Sequence, residues 1–492
     1  HRDGIDATAI RAPAPVIQFQ YVARMIGGPN RLDTCMLRSA LALALLFATG
    51  HAIAADWQLS GYVETDATTA DATRTRHRGS SSVNVNRLGF YSDLTYDSRS
   101  DSWFALSDRG PGGGVISYAT RVQQMRIPFN RRSGSIGQPV VIRTIRFEDE
   151  RGSTLNGLNP ALLGGRPDVL GNSFDPEGFA IGRSGQWFVA DEYGPSLYQF
   201  NASGRRVRTF EIPANLQPRT ATGALDYVAG RSLVTNGRQD NRGFEGLTLN
   251  ASGTRLYAVM QDPLVNEGAS NDGRRSRHAR IVEFDVASGR SLRQFVYLLE
   301  SIDVLNAIDP ASDDNFSATH QGRSIGLSAI HALSDNEFLV LERDNRGLGV
   351  EATAVPLHKR VYRIALDGAT DVSALSLAGS NNLPAGVVPV RKSMEIDVLA
   401  QLRAVGADVP EKLEGLAVGP QLTDGRHLVL IGSDNDYSVT QTGAGEQYEV
   451  CVNRSTGARV SDVPLDGQCP QGMTRVPGVL LAFAVDFRKP EK

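Results

Sequence analysis

One unit recurs five times along this 492-residue chain, and the recurrence limits the fold more than any other feature. The first copy holds Tyr91-Ser92-Asp93-Leu94 and then Trp103-Phe104-Ala105-Leu106-Ser107-Asp108-Arg109-Gly110. The second holds Asp175-Pro176-Glu177-Gly178-Phe179 and Trp187-Phe188-Val189-Ala190-Asp191-Glu192-Tyr193-Gly194. Gly243-Phe244-Glu245-Gly246-Leu247 with Leu256–Asp262, Ile325–Ile330 with Phe338–Asp344, and Leu413-Glu414-Gly415-Leu416 with Leu428–Asp434 complete the series. Each copy is a short apolar strand, a turn, a second apolar strand ending in an acidic residue, and a variable excursion. A further strand is legible in all but the first.

Strands that repeat in this way, with fifty glycines falling mostly between them, spell an all-β protein built as a β-propeller, whose radial repetition leaves only short protected sheet edges. The copies are spaced about 70 to 90 residues apart against a blade of roughly 40 to 50, so long loops or unrecognised blades must fill the difference. The expectation is about six blades, with about seven as the alternative. The alternating run Trp57–Val63 predicts a strand that completes the last blade by pairing with the C-terminus, and Thr65–Ser82, polar and aperiodic, predicts a mobile loop. Amphipathic helices do not alternate with the strands, which disfavours a parallel α/β fold.

The segments before residue 55 read as processing signals. Residues 1–35 show no periodicity and are expected to be an upstream extension; Met36 starts a signal peptide with Arg38, the apolar run Leu41–Ala48 and the cleavage pattern Ala52-Ile53-Ala54. The apolar run is too short to span a bilayer, so no transmembrane anchor is expected after cleavage. A periplasmic or secreted destination follows. Cysteine usage agrees: Cys35 precedes the predicted start, and Cys451 and Cys469 form an even pair expected to be bonded in an oxidising compartment. Residues 55–87 are then an N-terminal strand and loop, and 88–487 the propeller.

Hydrophobic residues make up 41% of the chain and charged residues 21%, and a formal net charge of -3 offers no global attraction to nucleic acid or anionic lipid. Recognition must therefore be local. Glu177, Glu245 and Glu414 hold equivalent places before a glycine at the head of a first strand, and Asp108, Asp191, Asp262, Asp344 and Asp434 follow the second strand. Ser92 and Ile325 stand where the first and fourth copies lack the glutamate. Equivalent positions converge on one face of a propeller, so two families of carboxylates would share a small volume and need hard cations, arginines or raised pKa values to coexist. Arg109, Arg242, Arg323, Arg343, Arg346 and Lys412 accompany them. The competing reading is structural: Glu-Gly pairs that cap strands, and arginines that bridge to those same carboxylates.

Other chemistry is thinner. Gly322-Arg323-Ser324-Ile325-Gly326 matches a nucleophile elbow, which requires a strand-to-helix turn, whereas here it leads into a strand. His77, His278, His320, His331, His358 and His427 have no zinc spacing. Gly110–Gly114 lacks a P-loop ending but could cover a site.

The segments Phe174–Phe200, Asn241–Leu247, Leu341–Arg346, Leu413–Ala417 and Ser107–Gly110 together resemble the phytase-like family of exported bacterial proteins with phytase-type esterase-like activity. The resemblance runs from about Leu88 to Phe487. It implies a propeller that hydrolyses phosphate esters, and by analogy one assisted by calcium. On that reading Glu177, Asp191, Glu245 and Glu414 would hold calcium or orient water, with Asp108 and Asp344 as further ligands. Arg109, Arg343 and Arg346 would bind the phosphate of a small-molecule substrate. Two other readings compete: a non-catalytic binding propeller, and a carboxylic esterase using Ser324.

Overall fold

In the computed structural model, residues 56–73, 86–164, 170–228, 233–442 and 446–487 are described. The expected upstream extension, the signal peptide, His77 and residues 74–82 of the predicted loop lie outside them. Among the described residues, five four-stranded antiparallel sheets make up a ring; four are meanders in chain order, and the fifth takes its outer strand from the N-terminal segment. The inner strands are Asp93–Asp97, Pro176–Ile181, Phe244–Leu249, Ile325–Ala332 and Lys412–Gln421. Each packs on the next, and the fifth packs on the first, which closes the ring.

Burial follows that ring. Phe104, Leu106 and Val122 of the first blade pack on Phe179, Trp187 and Val189 of the second, and Phe188 and Leu197 then pack on Phe244 and Leu256 of the third. Tyr257 and Ile281 meet Leu327 and Phe338, Leu339 and Val361 meet Leu413 and Val429, and Leu428 and Leu480 return to Leu94 and Trp103. Five such interfaces bury both faces of every blade, which is why the strands read as nearly continuous apolar runs rather than as alternations.

Among the described residues the ring thus has five blades, not the six expected from spacing. The surplus length went into excursions: short helices at Ile302–Asn306, Gln321–Ser324 and Val398–Ala404, and a small separate sheet. That sheet is formed by Val439–Thr442, Glu446–Val452, Arg459–Pro464 and Thr474–Arg475, and it is inserted between the second and third strands of the fifth blade. Cys451 and Cys469 are bonded within it, as expected.

The N-terminal strand Asp56–Thr65 is the outer strand of the fifth blade and pairs antiparallel with Gly478–Asp486, Trp57 opposite Val485. Closing the last sheet with strands from both ends of the sequence ties the ring together. Among the described residues no helix is long and apolar enough to cross a membrane.

Candidate functional site

The Glu-Gly pairs of the repeat make sense once the inner strands are seen in register. Pairing runs Pro176 with Asp191 and then Gly178 with Ala190, so Glu177 is an extra residue, a β-bulge. Glu245 and Glu414 bulge in the same way. A bulge re-aims one side chain while the strand continues, here into the axis. In the fourth blade the bulged residue is Ser328 rather than Ile325, which corrects the alignment drawn from sequence.

The glycine that follows has a different task. A Cβ on Gly178 would lie 2.7 Å from Leu247 of the next blade, and one on Gly246 would lie 2.9 Å from the backbone of Ala329. Glycine therefore lets successive inner strands approach closely enough for their bulged residues to share one cavity.

That cavity, about 430 Å³, draws lining residues from all five blades and so sits on the propeller axis. Carboxylates outnumber the five cations Arg109, Arg242, Arg323, Arg343 and Lys412 among the lining residues. Oxygens of Asp108, Asp175 and Glu177 lie within 4.8 Å of one another, and so do those of Asp108, Asp434 and Asp436. Asp108 belongs to both groups. Lys412 Nζ is 2.7 Å from Asp436 and 3.4 Å from Asp434.

From Asp175 an arc of alternating charge continues around the cavity. Asp175 accepts hydrogen bonds from the backbone nitrogen of Arg109 at 3.0 Å and from its Nη1 at 2.9 Å. Glu192 sits 4.0 Å from Arg109 and 3.7 Å from Arg242, whose Nε is 3.1 Å from Asp262; Arg323 is 3.8 Å from Asp262. Arg343 pairs with Glu414 and donates to Ser328 Oγ at 2.8 Å. Gln261 donates to one oxygen of Glu245, while Glu245 Oε2 is buried without a hydrogen-bond partner.

The electrostatic consequence is a cluster of acids that resist ionisation. Burial, reinforced by the Asp175 carboxylate, pushes Asp108 up to about 7. Burial and Asp175 also raise Glu192 to about 8, against the pull of Arg242 and Arg109. Glu177 and Glu245 are raised well above the usual carboxylate range by burial first and by neighbouring carboxylates second. Asp434 is raised likewise, by burial and by Asp436. Lys412 moves the other way: burial opposes its charge, but Asp436 and Asp434 outweigh burial and hold it protonated.

The cavity thus gathers Glu177, Glu245, Glu414, Asp108, Arg109 and Arg343 of the predicted residues, and not Asp191, Asp344 or Arg346. Asp191 is buried behind the wall, where it accepts from the backbone nitrogens of Asp175 at 2.7 Å and Gly194 at 3.0 Å. It shapes the loop that presents Asp175 and Glu192. Asp344 is enclosed by Lys359 Nζ at 2.7 Å and by the backbone nitrogen of His358 at 2.9 Å. Arg346 lies 3.8 Å over the ring of Phe316 and donates to the carbonyl of Asp314.

Ser324 lines the cavity but ends a short helix that feeds a strand, the reverse of an elbow, and among the described residues no histidine lines it. The sequence reading passed over Asp175, Glu192 and Asp436 as site residues. Each lies within two residues of an aspartate or glutamate it had singled out, and that proximity was the available signal.

The fold and site define a five-bladed propeller with an acidic axial cavity. A family model described as "Phytase-like: Esterase-like activity of phytase" matches residues 86–437, and the chain belongs to that family. A curated relative, an uncharacterized secreted protein of Arthroderma benhamiae, is 28% identical over 318 residues, which is 56% of this chain and 59% of that one. The chain therefore matches less than two thirds of that relative's length.

Among solved structures, the periplasmic gluconolactonase PpgL of Pseudomonas aeruginosa aligns with a TM-score of 0.31 and 12% identity over 88% of this chain and 99% of that one. A putative 6-phosphogluconolactonase from Bacteroides uniformis aligns with a TM-score of 0.29 and 11% identity over 79% and 88%. Likenesses at this level carry no argument, and the propeller rests on its own strand pairing.

Proposed function

We propose that the axial cavity hydrolyses phosphate esters of small molecules outside the cytoplasm, with a hard divalent cation such as calcium held by its carboxylates. The observation that carries this reading is the pair of carboxylate groups joined at Asp108, all but the fully buried Asp175 lining one cavity with Arg109, Arg242 and Arg323. The donor set fits such a cation: it is all oxygen, largely buried and short of positive charge, and Glu245 Oε2 has no partner. The family's description supports ester hydrolysis, and the secreted relative supports export.

In this reading Asp108, Asp175, Glu177, Asp434 and Asp436 hold cations, which when bound would polarise the ester and neutralise charge on the transferring group. Arg109, Arg242 and Arg323, each partly exposed, grip the phosphate oxygens. Glu245 orients the attacking water through its free oxygen, and Glu414 steers Arg343 towards the cavity. Glu192, raised to about 8, keeps its proton at neutral pH and can give it to the departing alkoxide oxygen.

One observation favours a binding propeller instead: Arg109, Arg242 and Arg343 already have carboxylate partners. A single assay separates the two. Phosphate release from phytate and from an aryl phosphate is measured with the full chain, with added calcium and with chelator. Calcium-dependent release that falls at least about a hundredfold in Glu177→Gln or Glu245→Gln supports the hydrolase. Folded protein that releases nothing in either condition sinks it.

A further inference from the structure

The turn that carries Asp436 is made of three successive non-glycine residues in the left-handed region: Asp436 at φ 45°, Tyr437 at 59° and Ser438 at 56°. L-residues adopt that conformation at a cost and hold it only where their surroundings enforce it. The next residue, Val439, begins the inserted sheet, and the sheet supplies the enforcement. Ser438 Oγ donates to the carbonyl of Val450 and accepts from the backbone nitrogen of Val476, both at 2.9 Å. Val450 lies on the insertion strand Glu446–Val452, between Glu449 and Cys451.

That strand is clamped on both sides of Val450. Glu449 is fully buried and pairs with Arg87 at 2.6 Å and Arg475 at 2.9 Å, while Arg87 Nη1 also reaches the carbonyl of Tyr437 at 3.3 Å. The bond from Cys451 to Cys469 ties the strand to the loop that carries Asp466, whose backbone nitrogen donates to Glu449 at 2.7 Å. The Tyr437 ring packs against Gly89 and meets the Tyr118 ring edge-on, with centroids 5.7 Å apart.

We infer that the inserted sheet is a positioning device for the site: the disulfide and the Arg87–Glu449–Arg475 cluster hold the left-handed turn that places the Asp436 carboxylate beside Asp108 and Asp434. The inference rests on the cavity's being a cation-holding site. It gives the insertion a purpose the repeat does not require, since the five interblade cores are complete without it. Asp436 is the site residue that depends on it; Asp434 ends a blade strand and stays in place without it.

The test uses terbium(III), a hard oxygen-seeking cation read by luminescence, on the full oxidised chain. Cys451→Ser/Cys469→Ser, Glu449→Gln and Asp436→Asn should each weaken terbium binding by roughly tenfold or more. Near-ultraviolet dichroism should stay that of the wild type. Adding Asp436→Asn to the cysteine pair should produce no further loss, because both changes remove the same ligand; merely structural damage would multiply with it.

Wild-type affinity in the cysteine pair and in Glu449→Gln overturns the inference, and so do losses that multiply. If the cysteine pair does not fold, Glu449→Gln alone and combined with Asp436→Asn decides it by the same criteria. A wild type that binds no terbium overturns the proposed cation site, and this inference with it, whereas failure confined to the variants' expected losses leaves the hydrolase reading standing.

Discussion

Glu342 in the fourth blade and Glu177 at the axis are both buried carboxylates in the same propeller, and their surroundings treat them in opposite ways. Glu342 accepts from His358 Nε2 at 2.8 Å, from Lys392 Nζ at 2.7 Å and from the backbone nitrogen of Glu300 at 2.8 Å. Burial disfavours its charge, but Lys392 and His358 outweigh burial and hold its pKa down at about 2. Glu177 faces Asp175, Glu245 and Glu414 in addition to burial, and its pKa rises. One cluster is neutralised by the chain itself; the other is left for something outside the chain to neutralise. Imbalance of that kind, concentrated in a cavity, is what the proposed cation site rests on.

The largest test of the contrast is to remove one partner from each cluster. Lys392→Met takes a charged partner from the buried Glu342 and should cost about 3–5 kcal/mol in urea unfolding. Glu177→Gln, which removes a repelled carboxylate, should leave the metal-free protein as stable as the wild type or more so. Equal losses in the two variants would erase the distinction.

Calcium addition comes next. A cation that binds only the folded cavity should add about 2.7 kcal/mol at a hundredfold excess over its Kd, read as a rise in unfolding midpoint. The rise should vanish in Asp108→Asn, whose carboxylate belongs to both acidic groups, and persist in Glu342→Gln if that variant folds.

pH should separate the clusters by sign. The raised acids of the cavity hold protons in the folded state that the unfolded chain has already lost, so their contribution is present below about pH 4. It is lost as pH rises through about 7 for Asp108 and about 8 for Glu192. Glu342 contributes above its unfolded value and loses that contribution as pH falls towards about 2. Without calcium, stability should decline between pH 5 and 8, with a shallower decline in Asp108→Asn/Glu192→Gln. An unchanged slope would count against the assigned shifts. The smallest effect belongs to Arg346→Ala, which should change phosphate release by less than about twofold, because Arg346 lies outside the cavity on Phe316.

The repeat was legible because burial on both faces imprints continuous apolar strands on the sequence, and because glycine is the residue that fits where inner strands meet. The acidic convergence was legible too, at Glu177, Glu245 and Glu414. Aspartates at the ends of second strands were not separable. Asp344 and Asp434 end the second strands of neighbouring blades, yet Asp344 is captured by Lys359 from the third strand, whereas Asp434 is left to Lys412 and the cavity. Nothing near either aspartate in sequence announces its partner.

Taken alone, the sequence determined the strand-rich repeat, the closing strand at Trp57, the bonded pair Cys451 and Cys469, and the gathering of repeat carboxylates into one cavity, because each follows from local pattern or residue type. The tertiary structure decided the blade count, the bulge that puts Ser328 in a glutamate's place, and which carboxylates share a cavity. Those depend on how far loops travel before a strand returns and on which charges meet across blades, and such long-range distances leave no periodic trace in the chain.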